Sequence, residues 1–370
     1  MTRIPDPARA DDGAGVVYVM TNAADQNAII AYQRAPDGRL TQRGSYATGG
    51  RGSGVGVTLP PDPLGSQDAL LLWGPWLFAV NAGSNEVSVF RAEHERLTLR
   101  DTVASGGRYP VSLTFRPPWL YVLNAGGVGT ISGFTLDPDG HLTPLADAVR
   151  ALGTPTPDDG AQPHILESPA QVGFSPQGDQ LVVSDKGALS GQGRLLVFAV
   201  AADGTPADRP VTTITAGNVP FSFTFDRGGH LLVTDPSANT VTSYALAADG
   251  SLRPRTVVAS QQQATCWIVC TPDGRYAYTD NTTSHTTTGY RLGADGSLSL
   301  LDADGVTASA GAGALPIDLA LSDDGRFLYT LNTGHGAVGM YAITAEGRLS
   351  AFGEVAGLPV LQGVQGIAAR

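Results

Sequence analysis

Short runs in which apolar residues alternate with small or polar ones recur along the whole chain, and each run of one class ends in Asn or Asp. VYVMTN reaches Asn22, LFAVN Asn81, LYVLN Asn124, LVVSD Asp185, LLVTD Asp235, YAYTDN Asn281 and FLYTLN Asn332. A period-two alternation over five or six residues is the signature of a β-strand. After each run come a second apolar strand, a turn, and a third strand. The turns read PDGRL (36–40), EHERL (93–97), PDGHL (138–142), ADGTP (202–206), ADGSL (248–252), ADGSL (294–298) and AEGRL (345–349). Asp-Gly between alternating segments is a strong hairpin signal, because Gly supplies the positive φ that the turn needs. A further turn precedes the Asn strand in several units: FRPPWL, FSPQGDQL, FDRGGHL, TPDGRYA and SDDGRFL.

Each unit is thus four antiparallel strands, called A to D here, and there are seven units. One unit cannot bury both of its faces, whereas a ring of them can, and four-stranded units arranged radially make a β-propeller. The predicted fold is all-β: a seven-bladed propeller over residues 16–370, preceded by a tail at 1–15. The first unit has no A strand before Val16, and an orphan strand, GVQGIAAR (363–370), follows the last. The C-terminal strand is therefore predicted to complete blade one and close the ring.

Composition agrees with this reading. The 370 residues include 47 Gly and 25 Pro, with 42% hydrophobic and only 15% charged residues, too few charges for many amphipathic surface helices. The net charge of −11 and the lack of any basic cluster argue against nucleic-acid binding. No run is apolar enough for a signal peptide or a membrane span, which predicts a soluble, cytoplasmic protein, expected to be monomeric. Cys266 and Cys270, placed on one strand, would stand ~13 Å apart, too far for a disulfide. Two cysteines in CxxxC do not make a zinc site. No metal or cofactor is expected.

Topology tells where chemistry sits. A–B and C–D turns share one face; B–C turns and the D-to-A connections share the other. The long insertions fall on the second face: 48–67, 151–169 and the B–C loop DKGALSGQGR (185–194). Long loops on one rim of a rigid scaffold are where binding groups collect. Aligning the A strands gives a column at this rim near the channel: Asp68, Ser112, Gln171, Ser222, Trp267, Asp318, Gly366, preceded by Gln67 in blade two. Gln67, Asp68, Gln171, Trp267 and Asp318 are candidates to line a ligand pocket.

Lys186 is the sole lysine among 23 basic side chains and ends the blade-four B strand beside Asp185. It could hold a carboxylate or polarise a carbonyl, or pair with Glu167 or Asp185 and order a loop. His164, in QPHILE, could serve as a general base. His285 and His335 fall in B–C loops; His94, His141 and His230 fall on the opposite face. Arg51 sits in the glycine-rich TGGRGSGVG (48–56), which lacks the GK[ST] of a phosphate loop. There is no G-x-S-x-G, HExxH or paired CxxC.

VNAGSNEVSVF, GFSPQGDQLVVSD, TPDGRYAYTDN and the closing GVQGIAAR resemble the lactonase-family seven-bladed propellers, over roughly residues 16–370. That family includes bacterial 6-phosphogluconolactonase-like propellers and fungal carboxymuconate lactonising enzymes. The resemblance implies hydrolysis or formation of a lactone at the loop-rich rim. In active members a His-x-His stretch precedes the blade-four A strand, and an Asp and an Arg follow in the next B–C loop. Here Ser168 and Ala170 occupy the histidine positions, while Asp185 and Arg194 match the other two. The expected catalytic set is His164, Asp185, Lys186 and Arg194. Substrate would be held by Arg51, Gln67, Asp68, Glu167, Gln171, Trp267 and Asp318. The expected partner is a small acidic lactone of sugar or muconate type; a non-catalytic propeller binding a ligand or protein loop at this rim is the alternative.

Overall fold

Residues 14–57, 62–93, 96–154, 162–215 and 219–370 are described by a computed structural model of the chain. They form seven antiparallel sheets, each ordered A-B-C-D from the axis outward. The predicted closure is present. Strand A of blade one is Ile367–Ala369, and it pairs with strand B, Gly15–Met20, through Val17↔Ala369, Tyr18↔Ala368 and Val19↔Ile367. The predicted tail, 1–15, lies almost wholly outside the described residues. One blade departs from four simple strands. The outer edge of blade six is split, Leu298–Leu300 and Ala308–Ser309 both pairing with strand C, Thr286–Leu292.

Burial falls from axis to periphery. Strands B such as Gln180–Asp185 and Phe327–Asn332 are buried at every position, because a neighbouring blade covers each face. The D strands, such as Leu40–Ala47 and Leu252–Ala259, are mostly exposed. This is why the B strands read as apolar on both faces, whereas the outer strands carry Arg, Gln and Thr.

The Asn that ends a B strand is a structural post. Asn81 and Asn124 are fully buried; the Asn81 amide donates to Ser88 Oγ at 2.8 Å and that of Asn124 to the Ser105 carbonyl at 3.3 Å. On the opposite face, the Gly of five C–D turns seats on the residue that opens the preceding blade's B strand. A Cβ at Gly38, Gly140, Gly204, Gly296 or Gly347 would run into Phe327, Trp76, Trp119, His230 or Tyr276 respectively. Tyr329, Tyr121 and Tyr278 each donate a hydroxyl hydrogen bond to the carbonyl of the turn Gly beside them, Gly38, Gly204 and Gly347.

At the loop-rich rim, the A strands of blades three, four, six and seven carry a bulge where they leave strand B, at Pro110/Ser112, Pro169/Gln171, Thr265/Ile268 and Pro316/Leu319. A bulge re-aims side chains at a sheet end. It turns the predicted column of polar residues into the channel mouth.

Candidate functional site: an arginine-lined cleft beside a plugged channel

Two adjacent blades repeat one loop construction. Thr48-Gly-Gly-Arg51 leaves the outer strand of blade one, and Ser105-Gly-Gly-Arg108 leaves that of blade two. The second Gly of each lies flat against a buried Asn post of the next blade, where a Cβ would come within 2.5 Å of Asn81 at Gly50 and 2.6 Å of Asn124 at Gly107. The arginine carbonyl then accepts the amide of Gly83 (3.0 Å) or Gly126 (2.8 Å), in the two Asn-Ala-Gly turns 81–83 and 124–126. Both arginines are thereby placed in one rim cleft of about 290 Å³, together with Asn85, Tyr109, Gln162 and the backbone of Gly52, Gly83 and Gly126. No acidic side chain occurs among the described residues lining it. Arg51 is exposed, while Tyr109 is buried and burial pushes its phenol up to about 12.

The remaining expected residues converge on the channel mouth, and the mouth is filled. Residues 62–67 pass over it and are buried throughout. Lys186 donates to the Gly65 carbonyl at 2.6 Å, and the Trp267 indole and Gln365 amide donate to the Ser66 carbonyl at 2.8 and 3.2 Å. Gln67 crosses to blade six, donating to the Ile268 carbonyl at 3.0 Å and accepting the Ile268 amide at 2.9 Å. Gln171 grips Phe223 in the same two-handed way and also donates to Asp68 Oδ2 at 2.8 Å. These two glutamines supply strand-like bonds between blades that have no ladder there.

Several expected roles are therefore corrected. Lys186 is 1% exposed, with Phe221 5.4 Å from its ammonium, so it meets no dissolved ligand while residues 62–67 stay in place. Its hydrogen-bond partner is the Gly65 carbonyl. Glu167 instead accepts the amides of Leu189 and Ser190 at 2.8 and 3.2 Å and fixes the blade-four B–C loop. Asp185 and Arg194, matched by the resemblance to the family's Asp and Arg, form an ion pair at 2.8 Å, with Thr154 donating to the same carboxylate oxygen at 2.9 Å. Burial raises Asp185 above the usual carboxylate range even against Arg194. Trp267 stacks edge-on against Phe221 at 5.0 Å and is 1% exposed, a wall of the plug and not of an open pocket. His164 is half-buried and its carbonyl accepts the amides of Glu167 and Ser168, while Nδ1 has no partner among the described residues. Ser168 and Ala170 are both buried.

Asp318 accepts the amides of Leu319 and Ile367 at 2.9 and 3.2 Å. Burial first, and the carboxylate of Asp68 second, push it well above its ordinary value. The two carboxylates thus do feel each other across the closing strand. No group of three or more His, Cys, Asp or Glu among the described residues is placed to hold a metal. Cys266 and Cys270 are free thiols. His285 Nδ1 accepts the Leu315 amide and His335 pairs with Glu354, so both order loops. His94 lies outside the described residues.

The sequence reading found Arg51 but missed Arg108, Tyr109, Gln162 and Asp62. The signal for Arg108 is present as the repetition of [Thr/Ser]-Gly-Gly-Arg before an Asn-Ala-Gly turn, in register with the repeat.

The profile of the family described as lactonase, 7-bladed β-propeller, matches residues 128–269 and 238–357. The chain belongs to this lactonase family. No curated protein sequence matches it. Among solved structures, this lactonase-family propeller is similar to a candidate 6-phosphogluconolactonase of Bacteroides uniformis. They share 19% identity over 96% of this chain and 99% of the other, with a TM-score of 0.74. It is also similar to the Pseudomonas aeruginosa periplasmic gluconolactonase, at 18% identity over 96% and 99% of the two chains and a TM-score of 0.73. At such identity these likenesses speak for the fold alone.

Proposed function

We propose that the protein opens or closes the ring of a small acidic lactone at the loop-rich rim, with the substrate's anionic group seated between Arg51 and Arg108. The observation that carries this reading is the pair of arginines set into one cleft by a repeated loop motif. Two like charges held at one wall favour an anion, and a charge-assisted hydrogen bond to a carboxylate or phosphate is worth ~1.5–3 kcal/mol. Membership of the lactonase family supplies the reaction class.

The test is a panel of aldonolactones and muconolactones followed by proton release against uncatalysed hydrolysis. On the lactones of the panel that carry a free carboxylate or phosphate, Arg51→Ala and Arg108→Ala should each lower kcat/KM roughly ten- to a hundred-fold. If no lactone is turned over above background, the enzymatic reading fails. A second reading, binding without turnover, is favoured by Ser168 and Ala170 at the family's histidine positions and by the absence of an imidazole among the described cleft residues. Thermal stabilisation by the same acids and lactones, without proton release, is the outcome that selects it.

A further inference from the structure

Residues 62–67 hold the channel mouth in an unusual way. No backbone-to-backbone hydrogen bond among the described residues ties them to a blade. They are fastened by side chains: Lys186, Trp267 and Gln365 as above, Tyr109 Oη donating to the Pro63 carbonyl at 3.0 Å, Gln365 Oε1 accepting the Leu64 amide at 3.0 Å, and the segment's own Gln67 on Ile268 and Ser66 Oγ, which donates to the Val111 carbonyl at 2.8 Å. The donors that reach in from the blades, Lys186, Trp267, Tyr109 and the Gln365 amide, would serve equally for a bound molecule carrying carbonyl oxygens.

We propose that residues 62–67 are an autoinhibitory strap, and that the Gly65 carbonyl occupies, against Lys186, the position taken by the ester carbonyl of the lactone when the strap withdraws. This rests on the lactone reading above. Lys186 then does for the substrate what it does for Gly65. As water adds to the carbonyl carbon, the carbonyl electron pair moves onto the oxygen facing the ammonium, which stabilises it. Collapse of the adduct re-forms the carbonyl and breaks the ring C–O bond. The ring oxygen leaves as a hydroxyl, carrying the proton that water lost.

Three observations favour a strap that moves. The closed state buries opposite charges, Asp62 and Lys186. Burial pushes the Asp62 carboxyl up to about 6 and draws the Lys186 ammonium down to about 8, so both groups gain by hydration near neutrality. Asp185 Oδ1, in the residue next to Lys186, is buried without a partner among the described residues, so this surround is incompletely satisfied with the strap closed. The strap also shares a wall with the arginine cleft, because Tyr109 lines the cleft and holds Pro63. A ligand anchored at Arg51 and Arg108 therefore lies beside the segment that must yield.

Cys266 reports on the strap, since the residue is buried and its thiol lies within the electrostatic reach of Asp62 and Lys186. In a Cys270→Ser background, its labelling by an aromatic disulfide reagent reads opening. Gly65→Ala should open the strap. Its Cβ would come 2.2 Å from Ile165 Cγ1 and 3.2 Å from Lys186 Nζ, at a φ of +56°. Labelling should quicken by about tenfold or more, at a rate that low urea barely changes. Gln365→Leu, which removes two fastenings without touching Gly65, should act in the same direction. If both variants label at the parent's rate, or only at the rate of global unfolding, the strap is a fixed plug and the proposal is overturned. In Gly65→Ala, muconolactone or another lactone of the panel that carries an anionic group should slow labelling several-fold, and Lys186→Met added to it should abolish the protection. Protection by none of them overturns the carbonyl assignment. The turnover panel, read separately on Arg51 and Arg108, decides the lactone reading itself.

Discussion

Asp280 shows what a propeller interior does to a single side chain. It ends strand B of blade six one residue before the Asn post, fully buried, with Thr287 donating to Oδ1 at 2.9 Å and no partner for Oδ2 among the described residues. Burial pushes its carboxyl from the ordinary 3.8 up to about 8. The folded protein therefore holds this proton where the unfolded chain has released it. The stabilisation is complete below pH 3.8 and is lost as pH rises through about 8. One such proton contributes a slope of up to about 1.4 kcal/mol per pH unit. Asp280→Asn, which keeps an acceptor for Thr287, should flatten that part of the profile and raise stability above pH 8. Urea titrations of both proteins across the range check it. Nothing in YAYTDN marks this aspartate as different from the asparagine beside it. The alternation predicts a strand, but the desolvation belongs to the neighbouring blade.

The hairpin turns were legible because Asp-Gly demands its own conformation, whatever it packs against. Their second task was not legible, since it lies between blades distant from the turn in sequence. Gly204 has φ +88° and a Cβ there would come 2.4 Å from Trp119 Nε1, so it answers both to its turn and to its neighbour. Gly229 also has positive φ, +80°, with nothing within 4 Å of its Cβ position. Gly229→Ala should cost only the backbone strain, about 1 kcal/mol. Gly204→Ala should cost clearly more, roughly 2–4 kcal/mol, because Trp119 must move. Denaturant midpoints of the two variants separate the conformational part from the seating of one blade on the next. The same reasoning explains why Arg51 was found and the strap was not. A glycine-rich loop advertises itself, whereas in PLGSQD only Gln67 and Asp68 stand out, as pocket candidates, and the plugging role is invisible until the side chains that hold the segment arrive from blades one, three, four and six.

At the scale of the whole molecule, the ring depends on a short seam. Three residue pairs join the last strand to the first blade, and the same segment supplies Gln365 to the strap and the Gly363 carbonyl to the Asn22 amide at 3.1 Å. Deleting residues 363–370 should leave strand B of blade one with an open edge. The expected result is loss of a single cooperative transition together with self-association, read by urea melts and gel filtration. A truncated chain that unfolds as sharply as the parent would contradict the seam's importance. Ring order, blade number and closure were all readable, because a repeat states its own architecture. The turn-to-aromatic seats have a further consequence. They lie wholly on the face opposite the cleft, so these seats share no residue with Arg51, Arg108 or the strap, although Gln67 adds an inter-blade bond of its own at the rim. Rim loops can therefore be lengthened, shortened or rewritten without disturbing these seats, and a family built this way can change substrates on one face while the other keeps its blades indexed.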